Sequence, residues 1–154
     1  MATFESISLA TLAQQKLQPW AGATRPIILV VDDETVIADT LAMILGFNAI
    51  TGLAAYNAEA ALEMASLVPP DLLLSDVMMP GMSGVDLAIA MRKLVPSCKV
   101  LLFSGQAATV DLLSTARALG YDFTTLQKPI HHKDLLAHIR ENLQEEPEPA
   151  AAMA

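Results

Sequence analysis

The chain has a single cysteine, Cys98, in 154 residues, which rules out an internal disulfide and suits a reducing compartment. Basic residues are also scarce: 9 Lys and Arg stand against 17 Asp and Glu, a formal charge of −8. Phosphate-backbone binding depends on clustered Lys and Arg, so nucleic acid is disfavoured as a direct partner, while the acidic surface favours solubility. No apolar run approaches the roughly 20 residues that span a bilayer, and the N-terminus has no basic segment followed by an apolar core. Neither membrane insertion nor secretion is indicated, and a cytoplasmic location is expected.

What the chain does have is apolar residues, 53% of the total, ample for one domain with flanking segments. Residues 1–25 read as an N-terminal extension, flexible or partly helical. Residues 8–17 can form a turn or two of helix with Leu9, Leu12 and Leu17 on one side, but Pro19, Gly22 and Pro26 separate it from the periodic part of the chain. Residues 26–143 carry the periodic pattern, and residues 144–154 form an acidic, Pro- and Ala-rich tail expected to be disordered.

Within the periodic part, short aliphatic runs alternate with stretches of helical period. Residues 27–31 form a β-branched run that stops at Asp32-Asp33-Glu34. Residues 35–46 come next with helical spacing and Gly46 as the expected C-cap. A weaker strand over 47–53 leads to Asn57, a candidate N-cap for a helix through about residue 67, which Pro69 and Pro70 stop. The third strand, 72–75, runs into Asp76, and Pro80, Gly81 and Gly84 shape the loop that leaves it. A helix over 85–94, a strand over 100–103 ending at Ser104-Gly105, a helix over 109–119, a short strand over 123–126 running into Lys128-Pro129, and a helix over 132–143 complete the pattern. Five strand–helix units predict an α/β sandwich of three layers with a parallel sheet, because right-handed crossovers cover both faces of such a sheet.

In such sheets the carboxyl ends of the strands are where ligands bind, and this chain delivers Asp32, Asp33, Asp76, Ser104 and Lys128 there. Three carboxylates about 5 Å apart repel by roughly 3 kcal/mol per pair at an effective dielectric near 20, so the site demands a cation or shifted pKa values. An all-oxygen donor set without Cys or His favours Mg²⁺. A carboxylate beside such an ion can attack a phosphoryl group, with the lysine offsetting charge on the transferring oxygens.

The motifs Val30-Val31-Asp32-Asp33-Glu34, Ser75-Asp76-Val77-Met78-Met79-Pro80-Gly81-Met82-Ser83-Gly84, Phe103-Ser104-Gly105 and Gln127-Lys128-Pro129 together resemble the receiver domain of two-component response regulators, of the stand-alone, single-domain type. The resemblance implies the flavodoxin-like (βα)5 fold with strand order 2-1-3-4-5. It implies Asp76 as phosphoacceptor, and Asp32, Asp33, Asp76 and the Met78 backbone carbonyl as the Mg²⁺ site. Ser104 and Lys128 would contact the phosphoryl group, and Pro80, Gly84 and Pro129 would shape loops. Met78 and Gln106 match positions that modulate dephosphorylation. The implied partners are a sensor histidine kinase or histidine phosphotransfer protein and a downstream target protein, with the chain a monomer or a weak phosphorylation-dependent dimer.

One position departs from the family: the switch aromatic expected three residues before the lysine is Thr125, and Phe123 is the nearest substitute. Two other readings compete, an aspartyl-phosphate phosphatase of the haloacid dehalogenase type and a degenerate receiver that only binds. The phosphatase type usually carries its nucleophile after the first strand with a second acid two residues on, where this chain has Glu34. His131, His132 and His138 read as solvated, Met78, Met79 and Met82 as loop packing.

Overall fold

Aliphatic runs in the sequence become five strands of one parallel sheet: β1 (Ile27–Val31), β2 (Thr51–Ala55), β3 (Leu72–Asp76), β4 (Lys99–Ser104) and β5 (Thr124–Gln127), in the order β2-β1-β3-β4-β5. Helices α1 (Thr35–Phe47), α2 (Ala58–Leu67), α3 (Gly84–Leu94), α4 (Thr109–Ala118) and α5 (His132–Gln144) each succeed one of these strands. These elements come from a computed structural model that describes residues 25–105 and 109–144.

Alternation along the strands divides the core in two. Leu29, Leu73 and Leu102 face α2, α3 and α4, where Ala61, Leu87, Met91 and Ala116 meet them. Ile28, Val30, Leu74, Leu101 and Phe103 face α1 and α5, against Ala38, Leu45, Leu135 and Ile139. Leu72, Leu73 and Leu74 of the central strand are fully buried, as expected of an inner parallel strand covered on both sides.

Register brings the functional ends level. Val31 pairs with Ser75, Asp76 with Phe103 and Ser104 with Gln127, so the residues at the ends of β1, β3, β4 and β5 emerge along one edge. The opposite edge is tied by Asp71, whose Oδ2 accepts from the Ile27 amide at 2.7 Å while its carbonyl accepts from the Lys99 amide at 3.0 Å.

Side-chain caps set the starts of α2 and α3. The Asn57 side chain accepts from the Ala60 amide at 2.7 Å, and Ser83 Oγ accepts from the Asp86 amide at 3.1 Å. Helix ends differ from expectation in one place. Gly46 lies inside α1, which continues to Phe47; Asn48 closes it by donating from Nδ2 to the Ile44 carbonyl at 2.8 Å, and Ala49 takes the left-handed conformation at φ 62°. Strand β2 therefore starts at Thr51 rather than at 47, and β5 starts at Thr124, leaving Phe123 just ahead of it. Arg25 and Gln144, expected in the flanking segments, belong to the fold: Arg25 donates to the Gly46 and Ile50 carbonyls, and Gln144 ends α5. The rest of the extension and of the tail lies outside the described residues. Among the described residues no helix is long and apolar enough to cross a membrane.

Candidate functional site

Asp32 is the first residue beyond β1 and only 3% exposed. Its amide donates to the Ala55 carbonyl at 3.2 Å, and its Oδ1 accepts from the Glu34 amide at 2.9 Å, a turn in which an Asp side chain bonds the backbone two residues on. Burial pushes its carboxyl above the ordinary carboxylate range; the Asp76 and Asp33 charges push the same way, against the Glu34 amide and Lys128. Asp33 is exposed, and Asp76 closes β3 half-buried. Each of the three acids offers an oxygen within 4.8 Å of the others.

Lys128 lies just beyond β5, and its amide donates to the Ser104 carbonyl at 3.2 Å, which ties the end of β5 to the end of β4. Its Nζ donates to Asp76 Oδ2 at 3.0 Å and lies 5.9 Å from the Phe103 ring centre. Ser104, buried at the end of β4, completes the edge. A cleft of about 520 Å³ is lined by Asp33, Glu34, Asp76, Met78, Gly105 and Lys128, with Pro129 beside them. The Lys128–Pro129 peptide bond is cis.

The loop after β3 holds Asp76 against the start of α3. The Gly84 amide donates to the Val77 carbonyl at 2.8 Å. A Cβ at Gly84 would overlap the Asp76 carbonyl oxygen and lie 2.8 Å from its carbonyl carbon, so only glycine fits. Gly81 has φ 77°, the left-handed turn next to the exposed Pro80.

The structure thus brings Asp32, Asp33, Asp76, Ser104, Lys128, Met78 and Pro129 to one edge. Gln106 lies outside the described residues. Thr125 is exposed on β5, paired in register with Leu102. Phe123 is buried, stacked on Tyr121 with ring centres 5.8 Å apart and capped by the Arg92 guanidinium at 5.5 Å. Sequence reasoning missed two residues here. Glu34 lines the cleft and supplies the amide that holds Asp32, which the run of three acids before a helix signals. Arg92 carries no signal in sequence for its place over Phe123.

Three converging carboxylates with no nitrogen or sulfur donor suit a hard divalent cation. A carboxylate with one oxygen held by an ammonium beside such a cluster is placed to act through its other oxygen as a nucleophile toward an anionic group.

Strand order and helix placement put the chain in the flavodoxin-like class of doubly wound α/β domains, with an acidic cleft at the carboxyl edge of the sheet. Residues 28–140 match the family model of the response regulator receiver domain, and the chain belongs to that family. It is 33% identical over 113 residues to the probable transcriptional regulatory protein TcrX of Mycobacterium tuberculosis, covering 73% of this chain and 47% of the relative. It is 30% identical over 128 residues to the DNA-binding response regulator MtrA of Mycolicibacterium smegmatis, covering 82% of this chain and 55% of the relative. The chain spans about half the length of these curated relatives. The crystal structure of a CheY-like receiver domain protein from Methanospirillum hungatei superposes with a TM-score of 0.70 at 30% identity, covering 78% of this chain and 94% of the other. The general function of residues 28–140 is therefore that of a phosphoacceptor receiver domain, and the phosphatase reading is set aside.

Proposed function

We propose that Asp76 accepts a phosphoryl group from a sensor histidine kinase or a histidine phosphotransfer protein, and that the chain passes the signal to a partner protein. The observation that carries this reading is the Lys128–Asp76 ion pair at 3.0 Å inside a cluster of carboxylates spanning 4.8 Å. Asp76 Oδ1, the oxygen that Lys128 does not hold, is the nucleophile, while Oδ2 stays with Lys128. A new bond forms from the carboxylate to phosphorus as the bond to the donor's imidazole nitrogen breaks, and that nitrogen leaves with the electron pair.

Lys128 and the Ser104 hydroxyl then contact the phosphoryl oxygens, the lysine offsetting their charge. Asp33, Asp76 and the Met78 backbone carbonyl would hold Mg²⁺, with Asp32 holding the ion's water from its buried position. When bound, Mg²⁺ supplies the charge that lets an anionic donor approach this cluster. Pro80 and Gly84 keep the Asp76 loop in register, and Pro129 walls the cleft on the far side. Intact-mass measurement after incubation with acetyl phosphate and Mg²⁺ tests the reading: one phosphoryl adduct is expected, lost in Asp76→Asn and after chelation. An adduct that persists at the same level in Asp76→Asn overturns it.

A further inference from the structure

Helix α1 turns a stripe of large apolar side chains to solvent: Val36, Met43 and Phe47 are 74%, 61% and 82% exposed, and the exposed Thr40 lies between the first two. At about 100° per residue the four fall within about 60° of arc, opposite the buried Ala38 and Leu45. Together the three apolar side chains present roughly 400 Å², the size of patch that marks an interaction site on a monomer. Asp39 is the only charged residue of the helix.

The spacing of the stripe is palindromic: steps of four, three and four residues read the same in both directions. A second copy of α1 laid antiparallel therefore presents the same stripe in the same register. Val36 then meets Phe47 of the other copy and Thr40 meets its Met43, each contact occurring twice about a two-fold axis. Charge is arranged to match. Arg25 Nη2 donates to the Gly46 carbonyl at 3.0 Å, which holds a cation at the C-terminal end of α1. Asp39 and Gly46, seven residues apart, share one flank of the stripe. Antiparallel seating brings Asp39 of each copy along that flank toward Arg25 of the other, and it opposes the two helix dipoles. A chain with a formal charge of −8 thus meets itself here with attraction at the contact.

We propose that α1 is a self-association surface, on which two copies of this chain pair antiparallel through Val36, Thr40, Met43 and Phe47. Two stripes bury about 800 Å² in total, about half of a standard stable interface, so the pair is weak and forms with rising concentration. Each acidic cleft lies at the N-terminal end of its own α1, which begins two residues after Asp33, so the pair carries its clefts at opposite ends.

Sedimentation of the full chain tests the association. Weight-average mass is expected to climb from one chain toward two between about 0.01 and 1 mM, and to stay at one chain in Phe47→Ser. Phe47 is exposed, so an unchanged melting temperature will show that this variant keeps the fold. Cross-linking then reads the direction. In the antiparallel pair the two copies of residue 36 stand about 16 Å apart along the helices, as do the two copies of residue 47, whereas 36 faces 47. A short bis-maleimide is therefore expected to link an equal mixture of Val36→Cys and Phe47→Cys chains several-fold more than either variant alone. Cys98 does not compete, since it is buried and burial pushes its thiol up to about 12. A mass that stays at one chain means that something other than a second copy covers the stripe, and overturns the proposal. So does a rise undiminished by Phe47→Ser, or linking of either variant alone at the level of the mixture.

Discussion

Lys128 Nζ stands 3.0 Å from Asp76 Oδ2 although 52 residues separate them in sequence. Asp76 closes β3 and Lys128 directly follows β5, strands that do not touch because β4 lies between them, so the pair depends on the sheet's register. The lysine side chain is 37% exposed and the aspartate 14%, so the pair contributes little to folding by comparison with what it does to the charge at Asp76. Lys128→Ala is expected to leave the melting temperature nearly unchanged. It should slow phosphorylation by acetyl phosphate by about 10²-fold or more, the size of effect produced by loss of one charge-stabilising donor. An intact-mass time course checks this, and an unchanged rate would remove Lys128 from the proposed role.

Asp32 carries the opposite balance, because its charge is buried before it is compensated. Well below the ordinary value of 3.8 both native and unfolded chains hold the Asp32 proton. As pH rises through that value the unfolded chain releases it first, since the native carboxyl is pushed up, so this group's contribution to stability falls with the rise. Above the raised native value the metal-free fold bears the whole penalty. Asp32→Asn keeps the acceptor for the Glu34 amide and removes the charge. Its melting temperature without divalent ions is expected to exceed the native one, by about 4 °C for each kcal/mol relieved. The stabilisation that the native chain gains from added Mg²⁺ should largely vanish in the variant. A lower melting temperature for Asp32→Asn in the absence of metal would contradict the sign.

Much of this site could be read from the chain because each strand ends abruptly: an aliphatic run gives way to Asp32, Asp76, Ser104 or Lys128, and parallel strands deliver their ends to one edge. Gly46 misled because glycine after an apolar run resembles a helix C-cap, whereas Asn48 bonds the Ile44 carbonyl and Ala49 takes the positive φ. The place of Phe123 was not legible either. Whether an aromatic opens a strand or packs ahead of it depends on Tyr121 and Arg92, and the latter comes from a helix about thirty residues upstream. Burial of Asp32 is likewise a property of the assembled edge and not of the Asp-Asp-Glu run.

Gly84 and Gly81 shape the same loop for different reasons, and their alanine variants separate them. At Gly84 the added carbon meets the Asp76 backbone itself, so the strand end must shift; at Gly81 nothing lies within 4 Å and only φ 77° is strained. Gly84→Ala is expected to destabilise by about 3 kcal/mol, the upper end for over-packing, and to cut the phosphorylation rate. Gly81→Ala should lose about 1 kcal/mol and keep that rate. Urea midpoints together with phosphorylation time courses decide, and equal rates for the two variants would show that Asp76 tolerates the shift.

Met78 is 41% exposed and lines the cleft two residues beyond Asp76, where a water attacking the phosphoryl group would pass. A thioether neither donates a hydrogen bond nor orients that water strongly, so the acyl phosphate should be long-lived. Met78→Asn is expected to shorten its lifetime severalfold, measured as decay of the phosphoryl adduct after the donor is removed. An unchanged or longer lifetime would take Met78 out of the water's path.

Thr125 leaves β5 without the side chain that could move inward with Ser104. It is exposed, it pairs with Leu102 in register, and Ser104 pairs with Gln127 two residues further along the same strand. A phosphoryl group that draws the Ser104 hydroxyl toward it opens space on this side of the sheet, and a threonine is too small to fill it. Phe123 is already fixed between Tyr121 and Arg92 and has little freedom to move. In the native chain, amide shifts caused by a beryllofluoride phosphate mimic with Mg²⁺ are therefore expected to be small along residues 123–127, with the larger response in the segment after β4, residues 106–111. Thr125→Tyr adds a ring at an exposed position, so its folding stability should stay within about 0.5 kcal/mol of native. The ring can occupy the opened space, and the mimic should then shift residues 124–127 more than it does in the native chain. Large native shifts along 123–127, reduced by Phe123→Leu, would instead make Phe123 the moving aromatic.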